Sequence, residues 1–298
     1  MLAAFEKIEP NLNQSFYVNH MKVNRFPSPL HFHPEIEILL IVLGTGTRIV
    51  ANSVENFSPG DLVVIGENIP HVWYSDNGTY NDRQESISEA IYIQFSKEIF
   101  GVNFWGLPEC KSIVKLIEQS KMGIRLTGKT REDVSLLMFR IITSSSFNRI
   151  TLLLLILETI ALKEEYHLLA SPLEYNYINP KDSDRLNNVY KYVLENYHHE
   201  INLEKAASLA FFSPPAFCRY FKTRTHKSFL QFLIEVRVRN ACRLLVDENY
   251  SVSEICYMCG FNNVSYFIKQ FREITGLTPL NYRKKFIEMN LNNTSLKK

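Results

Sequence analysis

NLEKAASLAFFSPPAFCRYFKTRTHKSFLQF, residues 202–232, and SVSEICYMCGFNNVSYFIKQFREITGLTPLNY, residues 251–282, are two copies of one helical unit. Leu203 falls on Val252, Ala206 on Ile255, Ala207 on Cys256 and Ala210 on Cys259. After a one-residue insertion in the second copy, Phe221 falls on Phe271, Thr225 on Thr275 and Phe232 on Tyr282. Two copies make a tandem, not a solenoid.

Each copy reads as two short helices around a tight turn. Ser251 with Glu254 forms a capping box, and Gly260 can take the positive φ that stops that helix. The next helix opens at Asn262 or Asn263. In the first copy Ser213 caps, and Pro214 takes the first helical position, where a missing N–H costs nothing. Ala206, Ala207 and Ala210 allow a close helix crossing. Phe217 and Phe221, like Phe267 and Phe271, supply an apolar side at a spacing of four, leaving Arg219, Lys222, Lys269 and Arg272 on the other. A short helix with one buried and one basic side after a tight turn suits the major groove of DNA.

The two units, the helix FLQFLIEVRVRNACRLLVD between them and the closing GFNNVSYFIKQFREITGLTPLNYR resemble the DNA-binding domain of AraC-type transcription regulators, over about a third of the chain. The resemblance implies base reading from Pro215, Cys218 and Arg219 in the first unit. In the second it implies reading from Val264, Ser265 and Lys269, with Asn263 and Ile268 on the same face. Lys222 and Arg272 would sit near phosphates. Pro, Cys and Val at reading positions depart from the usual pattern. Thymine methyls and DNA shape would then carry more of the specificity.

The charge distribution agrees. The whole chain of 298 residues has a net charge of +2, yet residues 185–286 hold 15 Lys+Arg against 8 Asp+Glu, a balance of +7. The remainder holds 18 against 23, or −5. The positive excess sits where the repeat sits, as a domain facing phosphates requires. Five cysteines without a framework spacing point to a reducing compartment. MLAAFEKIEPNLNQ lacks the features of a secretory signal, and the apolar run at 152–162 contains Glu158 and is too short to span a bilayer. The expected location is the cytoplasm, without membrane association.

From Phe16 to Ser96 the chain reads as short strands: IEILLIVLG, GTRIVA, GDLVVIG, HVWYS and AIYIQF, with turn residues between. Such a run without helices argues for a small β-barrel or sandwich. In His31-Phe32-His33-Pro34-Glu35-Ile36-Glu37, strand alternation sends His31, His33 and Glu37 to one face. His71 follows on a later strand. Three histidines and a carboxylate could hold a divalent ion such as Zn, Fe, Ni or Mn. Alternatively they are contacts for an organic effector, or buried polar groups without a ligand. The spacing H-x-H-x3-E-x6-G, with Pro59-Gly60-Asp61 and a later His, resembles the two motifs of cupin barrels at His31, His33, Glu37, Gly44, Gly60 and His71. Arg25 replaces the glycine usual ahead of the first motif, and the Asn usual after the last His is missing. Those departures favour an organic ligand over a metal cofactor, with Trp73, Tyr74 and Tyr92 as apolar lining.

Residues Leu107 to Lys121, Lys129 to Ser145 and Arg149 to Leu168 read as three helices. The last is apolar nearly all round its first half and must be buried in its own domain or against a second subunit. In the resembled family such helices commonly form a dimer interface. Cys256-x-x-Cys259 replaces small apolar positions of the repeat and reads as structural. His198-His199 lies at a helix end. Neither a phosphate-cradling Gly-rich loop nor a Gly-x-Ser-x-Gly turn is present, so catalysis by those routes has no candidate.

The expected architecture is α+β. A cupin-like β-barrel with appended helices spans 1–170 and serves sensing and dimerisation. A linker follows at 171–184, the all-α tandem helix-turn-helix domain at 185–289 and a polar tail at 290–298. The expected function is sequence-specific transcription regulation, not catalysis. The effector would contact His31, His33, Glu37, His71 and Trp73. The partners would be promoter DNA, a second copy of the chain and RNA polymerase. The rival is a metal-dependent cupin enzyme fused to a DNA-binding domain, using the same four ligands.

Overall fold

The computed structural model describes residues 14–26, 30–76, 87–101, 103–170, 180–246 and 250–285. The tail read at 290–298 and most of the linker read at 171–184 lie outside the described residues. The chain divides into two compact units after Asp184.

Among the described residues of the N-terminal unit nine strands form two antiparallel sheets. They are β1 (Tyr17–Val23), β2 (Ile36–Leu43), β3 (Gly46–Val50), β4 (Ser53–Phe57), β5 (Leu62–Ile65), β6 (His71–Ser75), β7 (Ser88–Phe95), β8 (Ile124–Leu126) and β9 (Tyr166–Leu168). The larger sheet runs β1-β7-β2-β5-β8-β9 and the smaller β4-β3-β6. Three helices follow the first seven strands: α1 (Lys111–Ser120), α2 (Gly128–Thr143) and α3 (Phe147–Lys163).

The period of two along a strand builds two cores from one sheet. Ile36, Ile38 and Leu40 of β2, Leu62 and Val64 of β5, and Ile91, Ile93 and Phe95 of β7 pack with α1, α2 and α3. The alternate residues Leu39, Ile41, Val63, Ile65 and Ala90 face Val50, Phe57 and Trp73 of the smaller sheet. Both faces of the sheet are covered, which explains why β2 reads as an almost unbroken apolar run. Glu37 sits in that run on the inter-sheet face.

A buried ion network ties the sheets at one end. Arg48 on β3 donates from Nε to Asp61 Oδ2 and from Nη2 to Glu55 Oε2, both at 3.0 Å. Arg125 on β8 pairs with Asp61 at 3.1 Å. Pairing is what allows these charges inside.

Three sequence expectations need correction here. The helix expected from Arg149 to Leu168 stops at Lys163, because Glu164 adopts the left-handed conformation at φ 49°. Tyr166–Leu168 then pairs with β8 as an edge strand. The strand β8 itself lies between two expected helices, where three residues are too few to show an alternation. Thirdly, His31 and His33 precede β2 instead of lying on it. Pro34 cannot donate to a ladder, and His31 makes only an isolated bridge to His71.

In the C-terminal unit α4 (Pro180–Asn196) begins inside the stretch read as linker, with Pro at a terminal helical position it favours. Two helix pairs follow around a central helix: α5 (Leu203–Leu209), α6 (Pro214–Thr225), α7 (Phe229–Leu244), α8 (Val252–Met258) and α9 (Val264–Thr275). The capping box of Ser251 and Glu254 forms in both directions. Ser213 takes the N-cap position of α6 but its side chain makes no capping bond, so Pro214 and the extended backbone of Ser213 start that helix. Asn263 starts α9 by accepting from Tyr266 N at 2.8 Å. Phe217 and Phe221, like Phe267 and Phe271, are fully buried, as are Ala206, Ala207 and Ala210.

Candidate functional site

The reading helices α6 and α9 present corresponding faces. Pro215, Cys218, Arg219 and Lys222 are all exposed on α6, at spacings of three, one and three. On α9 the corresponding run is Ser265, Ile268, Lys269 and Arg272, of which all but Ile268 are exposed. These four residues, with Glu273 and Thr278, line a shallow surface groove. Ile268 and Val264 pack their inner sides on the buried cluster beneath. Asn263 accepts the cap bond at its side-chain oxygen, which leaves its amide NH2 for another partner. Thr278 enters the groove from beyond the helix, which the repeat alignment alone does not reveal.

The two cysteines of the C-x-x-C stretch are buried in this core. Burial raises the Cys256 thiol and pushes Cys259 up to about 12, so neither supplies a thiolate at neutral pH. His198 and His199 are exposed, their rings 4.0 Å apart.

In the N-terminal unit His31, His33, Glu37 and His71 converge although only Glu37 and His71 lie on strands. One ligand atom from each lies within 4.8 Å of the others, and all four residues are buried. Two of the histidines are oriented by backbone carbonyls. His71 Nδ1 donates to Ile69 O at 2.7 Å, and His33 Nδ1 donates to Glu35 O at 3.1 Å. A carbonyl only accepts, so each of these Nδ1 atoms carries a proton and leaves its Nε2 facing the cluster. His33 Nε2 meets Glu37 Oε2 at 3.2 Å, and Gln94 donates to the same oxygen at 2.6 Å.

Burial raises the Glu37 carboxyl, but the hydrogen bond from His33 and the surrounding imidazoles prevail and bring it down to about 2. Burial lowers His33, yet the bond and charge of Glu37 leave it raised overall. His71 is lowered well below its ordinary value by burial and by His31, so its imidazole is neutral. Among the described residues its Nε2 has no hydrogen-bond partner, and neither has the buried Trp73 Nε1.

Beside the cluster is a cavity of about 60 Å³ lined by Met21, Phe26, His31, Glu37, Leu39, Ile41, Trp73, Ala90, Tyr92 and Gln94. Trp73 and Tyr92 line it as expected. Tyr74 does not, because alternation along β6 turns it to the other face. Gln94, Met21 and Phe26 were not legible as lining. Gln94 reaches the site because β7 pairs with β2 in the register Glu37 to Gln94, a partnership no local pattern announces.

Among the described residues no helix is long and apolar enough to cross a membrane. Residues 206–285 match the family described as a helix-turn-helix domain. The uncharacterized HTH-type transcriptional regulator YdeC of Bacillus subtilis (strain 168) is 25% identical over 280 residues, 86% of each chain. The HTH-type transcriptional regulator GadX of Escherichia coli (strain K12) is 30% identical over 133 residues. That match covers 45% of this chain and 46% of the relative, so the chain spans less than half of it. Among solved structures, the DNA-binding domain of AdpA, a global transcriptional factor in complex with a target DNA, is 36% identical. It covers 35% of this chain and 93% of its own, with a TM-score of 0.33.

Proposed function

We propose that this chain, whose residues 206–285 match a helix-turn-helix family, is a transcription regulator of the AraC type that responds to a compact effector bound in its N-terminal unit. The observation that carries the DNA half is the duplication of one exposed, cationic face on α6 and α9. Two such helices held by α7 would enter successive major grooves, about one helical turn apart. Footprinting of the full chain on a duplex selected from a random library tests this. Two protected segments per protomer are expected, and one short segment would mean that only one unit reads.

The cavity beside the histidine cluster is the proposed effector site. His31, Glu37 and Trp73 are on its wall, and His33 and His71, which do not line it, would act through the cluster they form with His31 and Glu37. Trp73 Nε1 is a buried donor without an acceptor among the described residues, an arrangement that normally calls for a further partner. The cavity of about 60 Å³ is small beside the roughly 300–1,000 Å³ of drug-sized sites. A compact effector is therefore favoured. Its binding would shift the balance between protomer arrangements and so the DNA spacing preferred.

The protomer contact is proposed on the outer side of α2 and α3. α3 turns Leu152, Leu153, Ile156, Leu157 and Ile160 inward, yet Leu155 and Leu162 remain exposed beside Leu136 and Phe139 of α2. Leu155→Glu should give monomers by light scattering; an unchanged mass would place the interface elsewhere.

A second reading is favoured by the imidazole orientation. Nδ1 held by a carbonyl with Nε2 turned to a shared centre is the arrangement that metal-binding histidines adopt. His31, His33, Glu37 and His71 would hold a divalent cation. Such an ion would supply a Lewis-acidic position for an effector oxygen or, in the enzyme rival, for a substrate. Metal analysis of purified protein separates the two readings.

A further inference from the structure

One side chain joins the second helix-turn-helix unit to the helix that precedes the first. Arg237, midway along α7, donates from Nε to Tyr197 O and from Nη2 to His199 O, both at 2.9 Å. These carbonyls lie just past the C-terminal end of α4, where unpaired acceptors and the helix dipole favour a cation. The same guanidinium lies over the ring of Phe261, 5.7 Å from its centroid, in the turn between α8 and α9. Gly260 completes the contact. A Cβ there would overlap Tyr197 O and come within 3.1 Å of Arg237 Nε and Nη2. Helix end, guanidinium and turn are one packed joint.

The first unit has a matching joint. Arg185 on α4 lies over Phe212, 4.8 Å from the ring centroid. Phe212 and Phe261 each follow the positive-φ residue of their turn. Tyr190 of α4 packs on Phe232 at 4.7 Å and on Phe221 at 6.1 Å. Thus α4 is fastened near its start to the first turn, at its middle to α6 and α7, and at its end to the second turn. A single connecting helix sets the distance between two reading helices. A second attachment is needed to remove rotation of one about the other.

We infer that Arg237 is a positioning residue for two-site DNA recognition, setting the rotational phase between α6 and α9 and hence the separation of the two DNA segments the chain accepts. The inference rests on the two-groove reading above. One base pair turns the duplex by roughly a tenth of a turn, so a loosened joint tolerates separations that a rigid one rejects.

The test uses the full chain and the duplex selected by the wild-type protein, with derivatives whose segment separation differs by one or two base pairs. Wild type should lose affinity on the order of tenfold for one base pair, the scale of a strained or lost groove contact. Arg237→Gln should keep protection of the α6 segment and bind all separations nearly alike. Arg237→Lys keeps a cation over Phe261 and should restore part of the discrimination. Unchanged discrimination in Arg237→Gln overturns the inference. So does equal loss of both segments in a variant with native circular dichroism, because Arg237 would then only hold the fold. Should Arg237→Gln not fold, Phe261→Leu removes just the ring and must show the same split. A wild-type footprint without two segments sinks the two-groove reading itself and this inference with it.

Discussion

Phe211 and Gly260 occupy the same place in the two helix-turn-helix units, and both hold the backbone at positive φ, 60° and 79°. The left-handed region costs a residue with a Cβ about 1–2 kcal/mol, and Phe211 is 77% exposed, so burial returns little. Phe211→Gly removes the strain and loses part of the gain to unfolded-chain entropy. A net stabilisation of about 1 kcal/mol is expected in urea unfolding. Gly260→Ala should do the opposite, by more than about 2 kcal/mol, since its Cβ would overlap Tyr197 O. Equal effects at the two sites would contradict the correspondence.

Arg219 and Lys222 are both exposed on α6, and their proposed roles differ. A fork from Arg219 to guanine is worth about 1–3 kcal/mol of discrimination, so Arg219→Ala should relax preference at one base pair. Lys222→Ala should weaken all sequences alike and reduce the slope of log affinity against log salt by about 1. Binding selections and gel shifts at several salt concentrations measure both quantities. Indistinguishable behaviour of the two variants would remove the assignment.

The sensor pocket offers a test that needs no knowledge of the effector. Trp73 Nε1 is buried without an acceptor among the described residues, so Trp73→Phe deletes that donor and should leave the effector-free protein at least as stable. The same change, and His71→Ala, should abolish the transcriptional response while DNA affinity is retained. The effector reading also expects a thermal midpoint that a chelator does not move. About one ion per chain, lost in His71→Ala, would establish the metal reading instead.

Arg48 has a fully buried side chain that pairs with Asp61 and Glu55. Arg48→Met would remove both pairs at once and leave the almost fully buried carboxylate of Asp61 to the partly exposed Arg125. A destabilisation of the N-terminal unit by about 3–5 kcal/mol is expected in calorimetry. Asp61→Asn should cost less, because Arg48 keeps Glu55. A neutral Arg48→Met would show the network to be dispensable.

The duplicated helical unit was legible because its signals are local. Capping residues, a turn glycine and apolar spacings of four each act within one or two turns of helix. Thr225 and Thr275 show how far that legibility reaches. Each hydroxyl donates to the carbonyl four residues back at 2.8 Å and accepts the amide two residues on at 3.3 Å. The alignment had paired them without their task. The exposed faces of α6 and α9 followed from the same periodicity.

Convergence of His31, His33, Glu37 and His71 could be suspected from spacing, but not for the reason that holds. Strand alternation was expected to align the first two, whereas Pro34 breaks the ladder and the bridge between His31 and His71 brings them in. Gln94 and Met21 joined the pocket through the pairing of β1, β7 and β2, and Phe26 through its contacts with Ser75 and Phe57 of the smaller sheet. Arg237 met Tyr197 and Phe261 through the packing of α7 against the end of α4 and the second turn. Such contacts depend on which distant segments become neighbours, and nothing within a few residues of either partner encodes that choice. The sequence determined most of the elements, their buried sides and the charge of the reading helices; the pairing of strands, the edge strands β8 and β9 included, and the bracing of helices, which long-range packing decides, placed the pocket and the joint between the reading units.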